Sequence, residues 1–340
     1  MSLTISSDAR LVTAVIQPYR GIGDLMWHLP YLRRISENAR DGKIIYITNA
    51  SSHAKLLLAG EKCISEVIYL RQDKEMFGYM RKILDLANSL RNRCIEQVYI
   101  LDTVSYPAFS AFLAGIRNRY GFGSRKQRRW LTQHDYLDEA VLKAHPLEKL
   151  PAYMRMINLS VEDTEPRLQL PQSLITDVRM EFATCLKPWI GIGVGASTPE
   201  RIWPAERTAE LCTWLINKTR GTVFLLGADA EKDLGSLIMQ YLARANVQLD
   251  HVRNLAGKCA IDFTGAIISE CRLFFGMDSG PINMAAALEV TTFGLFAVSP
   301  PLHYSGYLHA IPTDDGQFNQ QGGIQRVSVD HVIGYVRKYI

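Results

Sequence analysis

Short apolar runs of strand length alternate with longer helix-like stretches along nearly the whole chain, and this alternation is what most constrains its fold. In the first half the runs are Thr13–Gln17, Lys43–Thr48, Val67–Leu70 and Gln97–Leu101, with helical stretches at about 24–39, 52–59 and 75–91 between and after them. The pattern restarts at Trp189-Ile-Gly-Ile-Gly-Val194, with helices expected at 204–217, 230–244 and 261–270 and strands at Thr222–Leu226 and Val290–Ala297. Strands each followed by a helix predict parallel sheets covered on both faces. Another helix is expected over Leu147–Ser160, and Glu162–Pro171, with prolines and several charges, reads as a linker. The expected fold class is α/β, with two Rossmann-like domains and a cleft between them that both halves face. The domains are drawn at residues 1–165 and 166–327, with a C-terminal helix in 328–340 packing back on the first.

Size and charge narrow the function classes. A chain of 340 residues has room for roughly two domains, each with its own core. A net charge of +4 is too mild to imply nucleic acid, and none is expected as a partner. The positive charge is instead local, in Arg117-Asn-Arg119 and Ser124-Arg-Lys-Gln-Arg-Arg-Trp130. The six cysteines lie far apart, without CxxC or metal-like Cys/His spacing. With no N-terminal signal pattern, this predicts reduced thiols in the cytoplasm. No apolar run approaches the ~20 residues of a membrane span, so any work at a membrane would be peripheral.

Two turns carry the chemistry. In Gly276-Met-Asp-Ser-Gly-Pro-Ile-Asn-Met-Ala-Ala-Ala-Leu288 an apolar run stops at Asp-Ser-Gly-Pro and restarts as an alanine-rich helix. Asp278 or Ser279 can cap that helix, Pro281 fits its first turn, and Gly280 permits close approach to the backbone. Free amides and the positive dipole end at such a helix start make an anion site, although a capped helix without a ligand has the same sequence. The other turn is Tyr19-Arg-Gly-Ile-Gly-Asp24, directly after a strand and before a helix. A dinucleotide fingerprint needs a third glycine where Met26 stands. Asp24 is positioned either to cap the helix or, as a cleft-facing carboxylate, to take a proton from a hydroxyl.

Five segments, in this order, resemble motifs of the family 9 glycosyltransferases, which include the ADP-heptose:lipopolysaccharide heptosyltransferases. They are Gly21-Ile-Gly-Asp-Leu-Met-Trp-His-Leu-Pro30, Gly195-Ala-Ser-Thr-Pro-Glu-Arg-Ile-Trp-Pro204, Leu225-Leu-Gly-Ala228, Asn254-Leu-Ala-Gly257 and Asp278-Ser-Gly-Pro281. The resemblance runs from about residue 13 to about 299. It implies a GT-B architecture, with acceptor on the first domain and nucleotide-sugar donor on the second. The chemistry it implies is inverting transfer of a heptose without a metal or other cofactor, in agreement with the absence of a DxD motif. Asp24 falls on the family's catalytic base.

On the donor side the resemblance implies roles for Ser197, Arg201 (where the family has lysine), Glu231, with Asp229 competing for the ribose, the turn Asp278, Ser279 and Gly280, and Asn283 in the helix after it. Trp203 and Pro204 read as helix-start packing. Acceptor contacts are assigned to Gly23, His28, Arg119, Arg125 and Lys126, since a lipopolysaccharide core is anionic and suits a basic surface. The implied partners are an ADP-heptose-like donor and an anionic glycolipid or glycan acceptor, with peripheral contact at the inner face of the bacterial inner membrane.

The chain departs from the family at Asn283, where histidine is usual, and at Phe296-Ala-Val-Ser-Pro-Pro301, where a Gly-Pro-Thr/Ser-x-Pro loop is usual. Asn283 cannot carry the positive charge that a histidine can. Two alternatives follow: a nucleotide-sugar epimerase on the same scaffold, and a degenerate homologue that binds nucleotide or a partner without transfer.

Overall fold

The computed structural model describes residues 10–71, 78–196, 198–297, 300–318 and 323–340. The chain divides into two compact units, Met1–Pro166 and Arg167–Ile340, and the division falls within the stretch read as a linker.

The first unit runs β1 (Leu11–Gln17), α1 (Ile22–Ser36), β2 (Ala39–Thr48), α2 (Ala54–Leu57), β3 (Ile64–Tyr69), α3 (Gly78–Asn92), β4 (Gln97–Ile100), α4 (Tyr106–Leu113), β5 (Asn118–Gly121), α5 (Arg125–Arg128), α6 (Glu139–Lys143) and α7 (Pro146–Met156). Its sheet is parallel, in the order β3-β2-β1-β4-β5. Strand order therefore reverses between β1 and β4. Ala14 and Ile16 of β1, Ile47 of β2 and Val98 and Ile100 of β4 are buried against Ile83, Leu86 and Leu90 of α3 and Ala108 and Ala111 of α4. Each of the Ile, Leu and Val side chains contributes about 1.5–3 kcal/mol by leaving water, and each alanine less.

The second unit runs α8 (Gln172–Glu181), β6 (Trp189–Gly193), α9 (Ala205–Thr219), β7 (Thr222–Leu226), α10 (Lys232–Arg244), β8 (Val252–Asn254), α11 (Ile261–Ser269), β9 (Cys271–Met277), α12 (Gly280–Ala287), β10 (Thr291–Leu295), β11 (Leu308–Ile311) and α13 (Val329–Val336). Its parallel sheet has the order β11-β10-β9-β6-β7-β8, the Rossmann arrangement, with the reversal between β6 and β9. The glycines of the run Trp189-Ile-Gly-Ile-Gly193 have a packing cause: a Cβ at Gly191 would stand 2.6 Å from the Phe274 ring on the neighbouring strand.

Several elements differ from the sequence expectation. The helix expected at 52–59 shrinks to α2 behind a short turn at Ala50–Ser52, because His53 takes the left-handed conformation between them. Strands β5, β8 and β11 were not expected: each is three or four residues long at or next to a sheet edge, too short to show a pattern. Helices α4 and α8 also escaped the alternation. The C-terminal helix buries Val332 and Val336 in the core of the second unit, with α9. Its apolar face follows Val329, Val332, Ile333 and Val336, and the second unit supplies the matching surface.

Candidate functional site

In open α/β sheets ligands bind beyond the carboxyl ends of the strands where strand order reverses. In the first unit that place is the end of β1 and β4. Asp24 is not the N-cap of α1, but its carboxylate serves as the N3 member of a capping box. Gly21 holds the N-cap position, and Asp24 sits one turn in, its Oδ2 accepting the Gly21 N–H at 3.1 Å. The other carboxylate oxygen takes no hydrogen bond among the described residues. Burial pushes the Asp24 carboxyl above the usual carboxylate range; the Gly21 N–H opposes this and the charge of Asp102 adds to it. Such a carboxylate keeps one oxygen free to receive a proton and has the raised proton affinity of a base.

Asp102, just past β4, was not singled out in the sequence. It is 7% exposed, and its Oδ1 accepts the Val104 N–H at 2.8 Å. Burial raises its proton affinity too, against the opposing Val104 and Thr103 hydrogen bonds and the charge of Lys149. The available signal was its position: the first polar residue after the apolar strand run Gln97–Leu101.

One acceptor assignment is corrected. His28 is 0% exposed, its Nδ1–H donating to the Asp24 carbonyl and its ring tilted against Tyr19, so it packs the start of α1 and no acceptor can reach it. Arg119 is partly exposed and braced on its own unit: Nε donates to the Trp130 carbonyl at 2.5 Å, Nη1 donates to the Ile116 carbonyl, and the guanidinium faces the Phe112 ring. Gly23 is buried in the first turn of α1, offering backbone alone. Arg125, its side chain 89% exposed and 3.7 Å from Glu139, and the exposed Lys126 do face open space. They border a cavity of about 640 Å³ whose lining also includes Tyr79, Thr103, Val104, Ser105, Tyr106 and Ser124.

In the second unit the reversal lies at the ends of β6 and β9, and the donor-side candidates gather there. Arg201 follows β6, and its Nη1 stands 3.3 Å from both the carbonyl oxygen and Oδ2 of Asp278, just after β9. Ser279 is the N-cap of α12, but its hydroxyl donates back to the Met277 carbonyl at 3.0 Å, leaving the first-turn amides uncapped by a side chain. The side-chain cap expected at Ser279 is therefore not made. Asn283 Nδ2 donates to the Ser279 carbonyl at 2.8 Å, and its Oδ1 accepts from the Tyr304 hydroxyl. Tyr304, unmarked in the sequence, thus becomes part of this turn. Glu231 Oε2 accepts the Ala228 N–H at 2.6 Å, and its side chain lies so close to Gly195 that a Cβ there would be 2.0 Å from Glu231 Cγ. Trp203 is buried beside Phe275, its indole N–H donating to the Val327 carbonyl, which is the packing role expected of it. Ser197, and Val298 and Ser299 of the 296–301 loop, lie outside the described residues.

Two Rossmann-type sheets in one chain, a Gly-Asp turn on the first and an Asp-Ser-Gly turn on the second, are the architecture of a GT-B glycosyltransferase. The sequence model of glycosyltransferase family 9 (heptosyltransferase) matches residues 83–315, and the chain belongs to that family. Among curated relatives, lipopolysaccharide heptosyltransferase 2 of Escherichia coli K12 is 28% identical over 294 residues, 82% of this chain and 81% of that protein. A solved Escherichia coli ADP-heptose LPS heptosyltransferase II superposes with a TM-score of 0.77 at 22% identity, covering 97% of this chain and 98% of that one. A family 9 glycosyl transferase from Veillonella parvula superposes at 0.78, with 17% identity and 97% of both chains covered.

Proposed function

We propose that this glycosyltransferase moves a heptose from ADP-heptose to an anionic lipopolysaccharide core acceptor, with inversion and with Asp24 as general base. Asp24 takes the proton of the acceptor hydroxyl as that oxygen attacks the anomeric carbon, and the ADP leaves from the opposite face. The observation that carries this is the state of the Asp24 carboxylate: one oxygen anchored by Gly21, the other free, and its proton affinity raised by burial.

Charge developing on the leaving diphosphate needs amides and a cation. Arg201 and the start of α12 supply them, with Ser197 as a further hydroxyl donor and Glu231 on the nucleotide ribose. No metal enters this scheme. Gly280 lets the diphosphate approach the backbone, and Asn283, tied to Ser279 and Tyr304, holds the turn as a neutral group. The exposed Arg117, Arg125, Lys126, Arg128 and Arg129 form a cationic face for the acceptor's phosphates and carboxylates, and for peripheral contact with the inner membrane from the cytoplasmic side. No helix among the described residues is long and apolar enough to cross a membrane.

The test replaces Asp24 with Asn and measures heptose transfer and ADP-heptose binding separately. Transfer should fall by about 10²–10⁴, the usual contribution of a general base, while donor binding stays. The anomeric configuration of the wild-type product, read by NMR, should be opposite to that of the donor. Undiminished turnover in the variant would overturn the role of Asp24, and a retained configuration would overturn inversion.

A further inference from the structure

The loop after β4 carries a buried acid, Asp102, that the scheme above leaves unused. β1 and β4 are neighbours at the reversal of strand order, and the Leu101 N–H donates to the Ile16 carbonyl at 2.9 Å, so the segments leaving the two strands start side by side. One segment leads to Asp24, the other at once to Asp102. No lysine or arginine comes within ion-pairing distance of Asp102 among the described residues.

The loop carrying Asp102 is held by fully buried Gln127. Its Nε2 donates to the carbonyls of Asp102 at 2.6 Å and Val104 at 2.8 Å, while its Oε1 accepts the Gly123 N–H at 3.0 Å. The Ser124 hydroxyl adds a bond to the Thr103 carbonyl at 2.6 Å. With its own bond to the Val104 N–H, the Asp102 carboxylate is fixed in place.

We propose that Asp102 is a positioning residue for the transfer reaction, a fixed negative charge beside Asp24 that acts through Asp24 and touches no substrate. This rests on Asp24 being the base. A like charge in a partly desolvated site makes a carboxylate hold its proton more tightly, which favours the product state of proton abstraction from the acceptor.

The other groups around the two acids fit this division. Tyr19 of the β1–α1 loop, Tyr46 of β2 and Tyr106 of α4 are kept neutral by burial. His28 of α1 is buried and neutral, and burial also lowers the proton affinity of His145 at the start of α7. The cations that oppose Asp102 are Lys149 of α7, 5% exposed, and Lys82 of α3, which in turn faces Arg20. Asp102 is thus the negative member of the group, and the two lysines temper it.

The experiment is the pH profile of kcat/KM for transfer in the wild type and in D102N, D102E, K149M and D24N. D102N should move the acidic limb to lower pH by about one unit and lower the plateau several-fold. D102E should restore the limb, and K149M should move it to higher pH. If D102N is too unstable to assay, the upward shift in K149M alone decides. Limbs that stay at the wild-type pH in these variants, or a D102N effect confined to acceptor KM, would overturn the proposal while D24N is still inactive. An active D24N would instead overturn the role of Asp24 itself.

Discussion

Arg201 closes over Asp278 through a single nitrogen, Nη1, 3.3 Å from both the carbonyl oxygen and Oδ2 of the aspartate. A guanidinium has five N–H donors, and this arrangement leaves most of the fork without a hydrogen bond among the described residues. The side chain is thus restrained at the Asp-Ser-Gly turn with donors to spare for an oxyanion. It also joins the two loops at the β6/β9 reversal, one carrying the cation and the other the helix start.

Arg201→Ala should therefore weaken binding of ADP or ADP-heptose by about 10- to 100-fold, the range for a charge-assisted hydrogen bond of 1.5–3 kcal/mol. Arg201→Lys should recover part of the loss, since it keeps the charge and gives up the fork. Isothermal titration with ADP checks both. An alanine variant with wild-type affinity would remove Arg201 from the donor site.

Gly195→Ala places a methyl where Glu231 Cγ already stands, 2.0 Å from the built Cβ. Glu231 must swing out, giving up its bond to the Ala228 N–H. We expect a stability loss of about 1–3 kcal/mol from overpacking, together with weaker nucleotide binding. Denaturant unfolding with and without ADP separates the two effects. If Glu231 had no part in holding the nucleotide, stability alone would drop.

The Arg125→Glu/Lys126→Glu double variant should raise KM for the acceptor with little change in donor binding. Both side chains are exposed, so salt screens their contribution. The difference from wild type should shrink as ionic strength rises from 10 to 500 mM, values chosen to span Debye lengths of about 30 Å down to a few ångström. A KM difference that ignores salt would argue against a long-range attraction of the acceptor.

Acid should loosen the fold through His28. Burial lowers its pKa to about 4 from the model-peptide value of 6.5. Between these values the unfolded chain binds a proton that the folded chain refuses, so stability falls as pH drops through 6.5 and stops falling near 4. Between pH 7.5 and pH 5 this amounts to about 2 kcal/mol. Urea midpoints at the two pH values, compared in wild type and His28→Gln, should show the variant losing less. Equal losses would assign the acid sensitivity elsewhere.

The sequence was most legible where one pattern served both fold and site. The apolar runs that became β1, β6 and β9 are continuous because they are buried on both faces, and the turns after β1 and β9 already displayed Asp24 and Asp278. Strand order was not written in any local pattern. Without it nothing marked Asp102 as a neighbour of the β1 turn, although both flank one reversal. His28 misled for a related reason. A polar side chain has the same identity whether it meets solvent or, as here, a backbone carbonyl inside its own unit. Tyr304 sits in a stretch without regular structure, and its bond to Asn283 spans a separation that no periodicity reports.

Gln127 lies between Arg125 and Lys126 on one side and Arg128 on the other, with its own side chain turned inward. The most basic helix of the first unit and the segment bearing Asp102 are consequently one mechanical piece, bolted through the Gln127 amide and the Ser124 hydroxyl. An anion that pulled on the outer arginines would tug the same strut that keeps the inner carboxylate in place. Under the proposed roles, capture of a charged ligand at the surface and the tuning of a proton deeper in the fold would share a lever, with no hinge needed between them.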